Sequence, residues 1–265
     1  MSAHALDQAV KITVCEFPDE QEFKQRAWAA LADYLVAAGP SIVILPEMPF
    51  CNWIFVGDAV DDGLWRKAVE QHDAMIARLP GLACRWIMSS RPVEETGRHF
   101  NVAFIWSAND GYQPIRRKWY LPEAPTAQET LWFNRGDCNF APVRADAICI
   151  GFQLCSEMMF TEHAPDMGFD GVHLVVQPRA SGQAARWRMA LEMAAIASGG
   201  YVASCNRRSF SRALFAGGGW VLSPDAHALC ETTKESPFAT AEIDLAVAER
   251  AKLEYPRDLY RRYRV

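Results

Sequence analysis

The fold is decided by positions 41 to 47, which read Ser41-Ile42-Val43-Ile44-Leu45-Pro46-Glu47. An unbroken apolar run closed by proline is typical of a strand that is covered on both faces of its sheet. A short β run at 12–15 precedes it, and between the two, apolar residues recur at helical spacing over 23–38 until Gly39 and Pro40 end the pattern. The first fifty residues therefore predict a β-α-β unit that ends at Glu47.

The alternation of strand and helix continues along the chain. Helical patterns run from about Leu64 to Leu79 and from Ala184 to Ser198, and the turn signal Asn109-Asp110-Gly111 predicts a hairpin that ends at Lys118. The stretch 126–138 predicts a loop with a turn of helix. The other apolar runs predict strands at 84–88, 101–106, 112–117, 148–154, 172–176, 201–205, 220–222 and 239–243, followed by a short helix and a Tyr/Arg tail. With no linker and no short internal repeat, residues 1–265 are expected to form a single α/β domain.

Composition excludes several classes of protein. The chain has 265 residues, 50% of them hydrophobic and 22% charged, which are values of an ordinary folded domain. Its 27 Lys and Arg against 32 Asp and Glu leave a net charge of -5, so we expect no nucleic-acid partner. Eight cysteines occur without any C-x-x-C pair, which argues against a zinc knuckle and favours buried thiols in a reducing compartment.

Neither a leader nor a membrane span is expected from the pattern. Residues 1–8 lack a basic stretch followed by an apolar one, and no window of about 18 apolar residues occurs. We therefore expect a cytoplasmic protein without a membrane partner.

Three functional groups follow predicted strands at the point where each strand ends. Glu47 follows 42–45, Lys118 follows the hairpin return, and Cys155 follows 148–154. A carboxylate that accepts the thiol proton, a cation that stabilises an oxyanion and a thiol that attacks are the set needed for acyl transfer through a thioester. Taken singly, each has a simpler explanation: a buried structural thiol, a pocket-rim carboxylate, and a solvated basic run that includes Arg116 and Arg117.

The order and spacing of the segments around these groups favour the catalytic hypothesis. Together they resemble the nitrilase (carbon-nitrogen hydrolase) superfamily over nearly the whole chain. The resemblance is carried by Leu45-Pro46-Glu47-Met48, Arg117-Lys118-Trp119-Tyr120-Leu121-Pro122 and Gly151-Phe152-Gln153-Leu154-Cys155-Ser156-Glu157, with support from Asn101, Phe133-Asn134-Arg135-Gly136-Asp137, Cys205-Asn206-Arg207, Gly217-Gly218-Gly219 and Tyr255-Pro256-Arg257.

The resemblance implies a four-layer α-β-β-α sandwich and a Glu-Lys-Cys triad. Glu47 matches the general base, Lys118 the oxyanion-stabilising cation and Cys155 the nucleophile. A second glutamate between Lys and Cys matches best at Glu129, with Glu123 as the competing candidate. The backbone N–H of Ser156 is the implied second oxyanion donor, and no metal or organic cofactor is implied.

Some positions depart from the family pattern. The common Cys-aromatic-Asp run reads Cys155-Ser156-Glu157 here, and we expect the acid to keep its structural role. Met158 takes a place where related amidases carry a carboxylate-binding arginine, and it is predicted, like Trp53, to contact substrate. Arg179 is predicted either to anchor a carboxylate or carbonyl of the substrate or to lie on the pocket rim. Ala194 and Ser198 replace the Arg and Asn that brace the site in relatives.

The sequence favours a thiol amidase that cleaves a small linear amide or carbamoyl compound and releases ammonia. Alternatives left open are a nitrilase, an acyl-transferring member, and a catalytically inactive binding or scaffold homologue. The expected partners are the small-molecule substrate and further copies of the chain, in a homodimer or higher homo-oligomer.

Overall fold

Two stacked β-sheets form the centre of the molecule, and their strands follow the alternation expected from the sequence. The structure is a computed structural model that describes residues 9–124, 127–182, 185–211 and 214–263. Its strands in chain order are β1 (Val10–Pro18), β2 (Ile42–Ile44), β3 (Trp86–Glu95), β4 (Arg98–Ser107), β5 (Gly111–Arg117), β6 (Glu123–Ala124), β7 (Ala127–Gln128), β8 (Val143–Ala145), β9 (Ile148–Phe152), β10 (Leu174–Arg179), β11 (Tyr201–Arg208), β12 (Trp220–Leu222), β13 (Ala228–Glu231) and β14 (Phe238–Ile243).

The helices lie outside these sheets or between strands. They are α1 (Gln21–Ala38), α2 (Asp62–Ile76), α3 (Glu129–Trp132), α4 (His163–Phe169), α5 (Ala185–Ser198), α6 (Leu245–Ala251) and α7 (Arg257–Tyr263), with 3₁₀-helices at Leu79–Gly81 and Cys155–Met159. The predicted absence of a leader in residues 1–8, and the predicted limits at 126 and 184, fall outside the described residues. In the described ranges, no helix has both the length and the apolar character that a bilayer crossing requires.

The first sheet, sheet A, has the strand order β5-β4-β3-β2-β1-β14. The pairs β1–β2 and β2–β3 are parallel, as the predicted β-α-β unit requires. Gly39 ends α1 in the left-handed conformation at φ 60° and donates its N–H to Leu35 O over 2.9 Å. This glycine therefore stops the helix as predicted.

The second sheet, sheet B, has the strand order β8-β9-β10-β11-β12-β13, with β9, β10 and β11 parallel. Sheet B is continuous with sheet A through β1, whose last residues, Glu16 to Pro18, pair with Asn206 to Arg208 of β11. This connection fixes the position of the two sheets relative to each other.

Alternate residues of each strand face opposite layers. Ile44 of sheet A and Ile150 of sheet B belong to the hydrophobic cluster between the sheets. Val43 packs in a second cluster with Leu31 and other residues of α1, and Val175 packs in a third with residues of α4 and α5. This arrangement gives the order helix, sheet, sheet, helix and confirms the expected four-layer α-β-β-α sandwich.

The strands after position 84 differ from the prediction. The structure joins β3 and β4 in a long antiparallel hairpin, whose turn places Thr96 at φ 50° and Gly97 at φ 73°. The prediction ended the first of these strands at 88 and began the second at 101 because the polar run around Glu94 and Arg98 hides the alternation. The short elements β8, α4 and β13 were not predicted either, since each is too short to show a period.

Candidate functional site

Lys118 lies at the centre of a buried cluster of charged side chains. Its Nζ is 2.8 Å from Glu47 Oε1, 2.9 Å from Glu129 Oε1 and 2.8 Å from Glu129 Oε2. Lys118 and Glu47 have 0% exposure and Glu129 has 1%. One ammonium therefore serves two carboxylates out of contact with solvent.

The backbone of Lys118 is fixed on both sides. Its N–H donates to Asn101 O of β4 over 2.8 Å, and its carbonyl accepts the N–H of Gly136 over 2.9 Å. A Cβ at Gly136 would lie 2.5 Å from Arg117 O, so only glycine permits this close approach. The family segment 133–137 therefore acts as a backbone brace for the lysine.

Glu47 is oriented by neighbours from three strands. Asn101 Nδ2 donates to Glu47 Oε1 over 2.8 Å, and Glu47 N–H donates to Arg179 O over 3.4 Å. The buried guanidinium of Arg207 donates to Glu47 O over 3.3 Å and ion-pairs with Asp19 over 2.5 Å. Glu47 Oε2 is buried and has no hydrogen-bond partner among the described residues, so this oxygen is available to accept a proton.

Cys155 begins the 3₁₀-helix that follows β9. Its backbone has φ 44°, which is strained for a residue with a side chain. Gln177 Nε2 donates to the Cys155 carbonyl over 3.0 Å, and the thiol lies 3.8 Å from Ala180 O. Cys155 is 6% exposed, so it is the most accessible member of the group formed with Glu47, Lys118 and Glu129.

Glu157 connects the nucleophile segment to the lysine segment. It has 0% exposure and accepts the N–H of Leu154 over 2.7 Å and the N–H of Trp119 over 2.7 Å. The Arg116 guanidinium donates to both of its oxygens, with 3.0 Å between Nη2 and Oε1. Because Leu154 precedes Cys155 and Trp119 follows Lys118, one carboxylate fixes the separation of the thiol and the ammonium.

The surroundings of the cluster raise the pKa values of both Lys118 and Glu129, for different reasons. Burial opposes the charged form of Lys118, but the carboxylates of Glu129 and Glu47 outweigh it and raise the Lys118 pKa above its usual value. Burial raises the pKa of Glu129 to about 7, since the charge of Glu47 adds to it and Lys118 offsets only part. The ammonium is thus permanent, whereas Glu129 titrates near neutral pH.

The surroundings of Cys155 favour its neutral thiol form. Burial raises the pKa of Cys155, the charge of Glu47 raises it further, and Lys118 lowers it by less. Lys118 offsets only part of this rise, because two carboxylates already contact the ammonium. Ionisation of Cys155 must be coupled to transfer of its proton.

The structure separates the two candidates for the second glutamate. Glu129 begins α3 and contacts Lys118 through both oxygens, whereas Glu123 is an exposed residue of β6. The turn of helix expected in 126–138 is α3, and it carries Glu129 to the lysine.

The predicted substrate-binding residues lie in different surroundings. Ser156 is half-buried in the first turn of the 3₁₀-helix, where N–H groups lack helical acceptors, and its hydroxyl donates to Tyr120 O over 2.6 Å. Met158 packs in the cluster beneath α4 and α5, a placement that does not support the predicted substrate contact. Arg179 directs its guanidinium to Ser204 and Ser181 over 3.0 and 2.9 Å, and no hydrogen bond or ion pair joins it to Glu47, Lys118 or Glu129 side chains among the described residues.

Trp53 belongs to an aromatic cluster next to the catalytic candidates. This cluster includes Met48, Trp132 and Phe133, with Ala180 packed against it. Trp53 and Trp132 also line an open cavity of about 440 Å³. Trp132 Nε1 is buried without a hydrogen-bond partner among the described residues. The aromatic cluster therefore includes Met48, which follows Glu47 in the chain, and Trp132 of α3, the helix that Glu129 begins.

Some site residues were not given their function from the sequence. The sequence pattern assigns no function to Asn101, Arg207, Gln177 or Arg116. A polar residue at the end of an apolar strand was the available signal, since 101, 177 and 207 all lie on central strands and are buried. In the described part of the chain, no group of three or more His, Cys, Asp or Glu residues could hold a metal ion.

Comparisons with known proteins identify the family of the chain. A family model described as carbon-nitrogen hydrolase matches residues 17–253. The N-carbamoylputrescine amidase of Arabidopsis thaliana is 29% identical over 149 residues, which are 55% of this chain and 50% of that protein. That of Oryza sativa subsp. japonica is 30% identical over 89 residues, which are 34% of this chain and 30% of that protein. The chain thus spans about half the length, or less, of the curated relatives it matches.

Solved structures show the same fold at low identity. A carbon-nitrogen hydrolase from Helicobacter pylori G27 superposes with a TM-score of 0.84 at 18% identity and covers 96% of each chain. The amidase from Nesterenkonia sp. AN1, with acrylamide added to its active-site cysteine, gives a TM-score of 0.73 at 17% identity and covers 96% of this chain and 99% of that one.

The carboxyl of Glu129 should make the free energy of unfolding decrease as the pH rises. Its pKa rises from 4.5 to about 7 on folding, so between these values the folded state keeps a proton that the unfolded state has lost. The resulting stabilisation is complete below the lower value and is lost as the pH rises through the upper one. Relative to Glu129→Gln, the wild type should lose on the order of 3 kcal/mol of unfolding free energy across this window.

Urea denaturation of both proteins at a series of pH values measures this difference. Glu123→Gln is the matched control, because Glu123 is exposed, and its curve should parallel that of the wild type. Parallel curves for the wild type and Glu129→Gln would contradict the raised pKa.

Two substitutions of Glu157 distinguish the contribution of its negative charge to the free energy of unfolding from the contribution of its side-chain length. Glu157→Gln leaves the buried Arg116 without a counter-charge and removes an acceptor from the backbone N–H groups, so we expect a loss of about 3–5 kcal/mol of unfolding free energy. Glu157→Asp keeps the charge and should lose less. Chemical denaturation ranks the three proteins, and a Gln variant as stable as the wild type would refute the connecting role.

Proposed function

Because this chain belongs to the carbon-nitrogen hydrolase family, we propose that it hydrolyses a small linear amide or carbamoyl compound through a thioester on Cys155. The observation that carries the proposal is the contact of Lys118 with both Glu47 and Glu129 at 2.8 Å, together with the action of these three charges on the Cys155 thiol. A buried cation with two carboxylates provides one group to hold an oxyanion and another to move a proton.

The first half of the reaction forms the acyl-enzyme. Glu47 Oε2 takes the proton of the Cys155 thiol as the sulfur attacks the carbonyl carbon of the substrate. The resulting oxyanion is held by the Lys118 ammonium and the backbone N–H of Ser156. Collapse breaks the carbon-nitrogen bond, Glu47 returns the proton to the departing nitrogen, and ammonia leaves from a primary amide.

The second half consumes one water molecule. Glu47 accepts a proton from water as its oxygen attacks the thioester, and the same two donors hold the second oxyanion. Collapse releases the carboxylic acid, and the proton returns to the sulfur of Cys155. Glu129 keeps Lys118 oriented through both halves, and its own proton state tunes the charge around the ammonium.

The coupling of thiol ionisation to the substrate has a physical basis. The raised pKa of Cys155 means that the empty site holds a thiol, which does not react indiscriminately. As Glu47 becomes protonated and loses its negative charge, the developing oxyanion takes its place as a counter-charge of the Lys118 ammonium. The net charge of the cluster is therefore maintained as the bond to sulfur forms.

An amide is favoured over a nitrile as substrate by the N-carbamoylputrescine amidase relatives. The aromatic cluster of Trp53, Trp132 and Phe133 supplies an apolar wall on which the carbon chain of a small amide packs.

Substitution of the nucleophile tests the proposal. Cys155→Ala should lower ammonia release from an active amide by about a thousandfold or more, because the covalent route is lost. Cys138→Ala is the matched control, since Cys138 is an exposed free cysteine and its loss should not change the rate. A colorimetric ammonia assay over a panel of primary amides and nitriles gives both rates.

Two results would refute the proposal. One is full activity in Cys155→Ala. The other is a wild-type protein that hydrolyses no member of the panel and shows no acyl adduct by intact-protein mass spectrometry. The latter result would favour a non-catalytic binding protein.

A further inference from the structure

A second cavity lies on the helix-facing side of sheet B, apart from the lysine cluster. It encloses about 610 Å³ between the start of α5, the turn before β12, and β13. Arg179, Arg188, Trp187 and Trp220 are among its lining residues, whereas Glu47, Lys118, Cys155 and Glu129 are not.

The base of this cavity holds a buried cation without a counter-charge. Arg179 is 2% exposed, and it donates to Ser204 Oγ, Ser181 Oγ and Gly218 O, which are all neutral acceptors. No carboxylate lies within ion-pair distance of it among the described residues. A guanidinium has five N–H donors, so two remain without a described acceptor. Burial accordingly lowers the pKa of Arg179 to about 10.

The nearest carboxylate is committed to other groups. Glu16 ion-pairs with Arg208 and accepts the Gly218 N–H and the Thr232 hydroxyl, both over 2.8 Å. It therefore does not serve as the counter-ion of Arg179. A buried charge left unpaired costs several kcal/mol, so an anion that pairs with it gains correspondingly.

The remaining charges around the cavity are mostly positive. Arg188, Arg208 and Lys234 line it, against the carboxylates of Glu16 and Glu231. Arg188 shares its charge with Glu192 over 2.8 Å. Counting Arg179, four cations face two carboxylates in the lining. The Arg179 guanidinium stacks 4.5 Å from the centre of the Trp220 ring.

We propose that this cavity is a binding site for a small organic anion, whose carboxylate or phosphate group pairs with Arg179 and whose apolar part lies against Trp187 and Trp220. Arg188 and Lys234 attract the anion from the cavity mouth. The lining of this cavity contains none of the four residues of the proposed hydrolytic centre, and the existence of the anion site does not depend on that activity.

Arg179 alone is an unsuitable variant for the test, because it is linked to the nucleophile. Its Nε donates to Ser204 Oγ over 3.0 Å, Ser204 donates to Gln177 Oε1 over 2.8 Å, and Gln177 donates to the Cys155 carbonyl over 3.0 Å. A substitution at 179 would disturb this chain of hydrogen bonds. The test therefore measures binding directly and relies on the residues of the cavity mouth as well.

Isothermal titration calorimetry with benzoate and phenyl phosphate, at constant ionic strength, measures the site. Benzyl alcohol and benzylamine are the neutral and cationic controls of similar shape. We expect one anion per chain to bind, and both controls to bind at least about tenfold more weakly. Tighter binding of phenyl phosphate identifies a phosphate ligand, and tighter binding of benzoate identifies a carboxylate.

Variants assign the binding to this cavity. The double variant Arg188→Gln with Lys234→Ala should weaken anion binding by about fivefold. Arg78→Gln is the matched control, because Arg78 stacks on Trp28 at 5.4 Å but lies elsewhere. The proposal is overturned if neither anion binds at millimolar concentration, or if binding survives unchanged in the Arg188 and Lys234 variant, as it would if the anion occupied the lysine cluster.

Discussion

The structure of the site depends on one buried ammonium ion that is shared by two carboxylates. Lys118 has no exposure, and its Nζ contacts Glu47 and Glu129 at 2.8 Å. Removing three charges from water is costly unless each is paired and hydrogen-bonded. This cost is offset in part by the backbone hydrogen bonds that fix Lys118 and by the hydrogen bond that Asn101 donates to Glu47. It is also reduced because Glu129, with a pKa of about 7, can hold a proton and become neutral. The surrounding strands serve to hold these charges in contact.

The same cluster determines the chemistry of the sulfur. A cation beside a thiol normally favours the thiolate, but this cation is already neutralised, and burial keeps Cys155 protonated. Reactivity must then come from the unpartnered oxygen of Glu47 and from the substrate. Glu157 links the segment of Cys155 to that of Lys118 through the N–H groups of Leu154 and Trp119.

Much of the architecture was predictable because parallel strands end at a common edge. The apolar run 41–45 and the run 148–154 located Glu47 and Cys155, and the tight turn at Asn109 located Lys118. The family and the four-layer sandwich are confirmed, while the catalytic roles of these residues stay predictions. Glu129 needed the resemblance, since nothing in its local pattern distinguishes it from Glu123.

The remaining features depend on side-chain direction, which the sequence pattern did not provide. Met158 turns into the helix layer because the 3₁₀-helix after Cys155 sets its orientation. Arg179 points to the helix-facing side of sheet B because residues alternate along β10, where Val176 faces the opposite side. The polar run around Glu94 concealed a long hairpin. In each case a local pattern was too short to fix the tertiary contact.

The central claim is that Glu47 accepts the proton of the Cys155 thiol. The alternative is that the charge of Glu47 only changes the pKa of that thiol. The rate of Cys155 alkylation by iodoacetamide at neutral pH, in the wild type and in Glu47→Gln, tests this most directly. Proton transfer to Glu47 predicts an alkylation rate at least about tenfold lower in the variant. A rate that is equal or higher in the variant would contradict the account, because removal of a purely electrostatic carboxylate would lower the Cys155 pKa and increase the thiolate population.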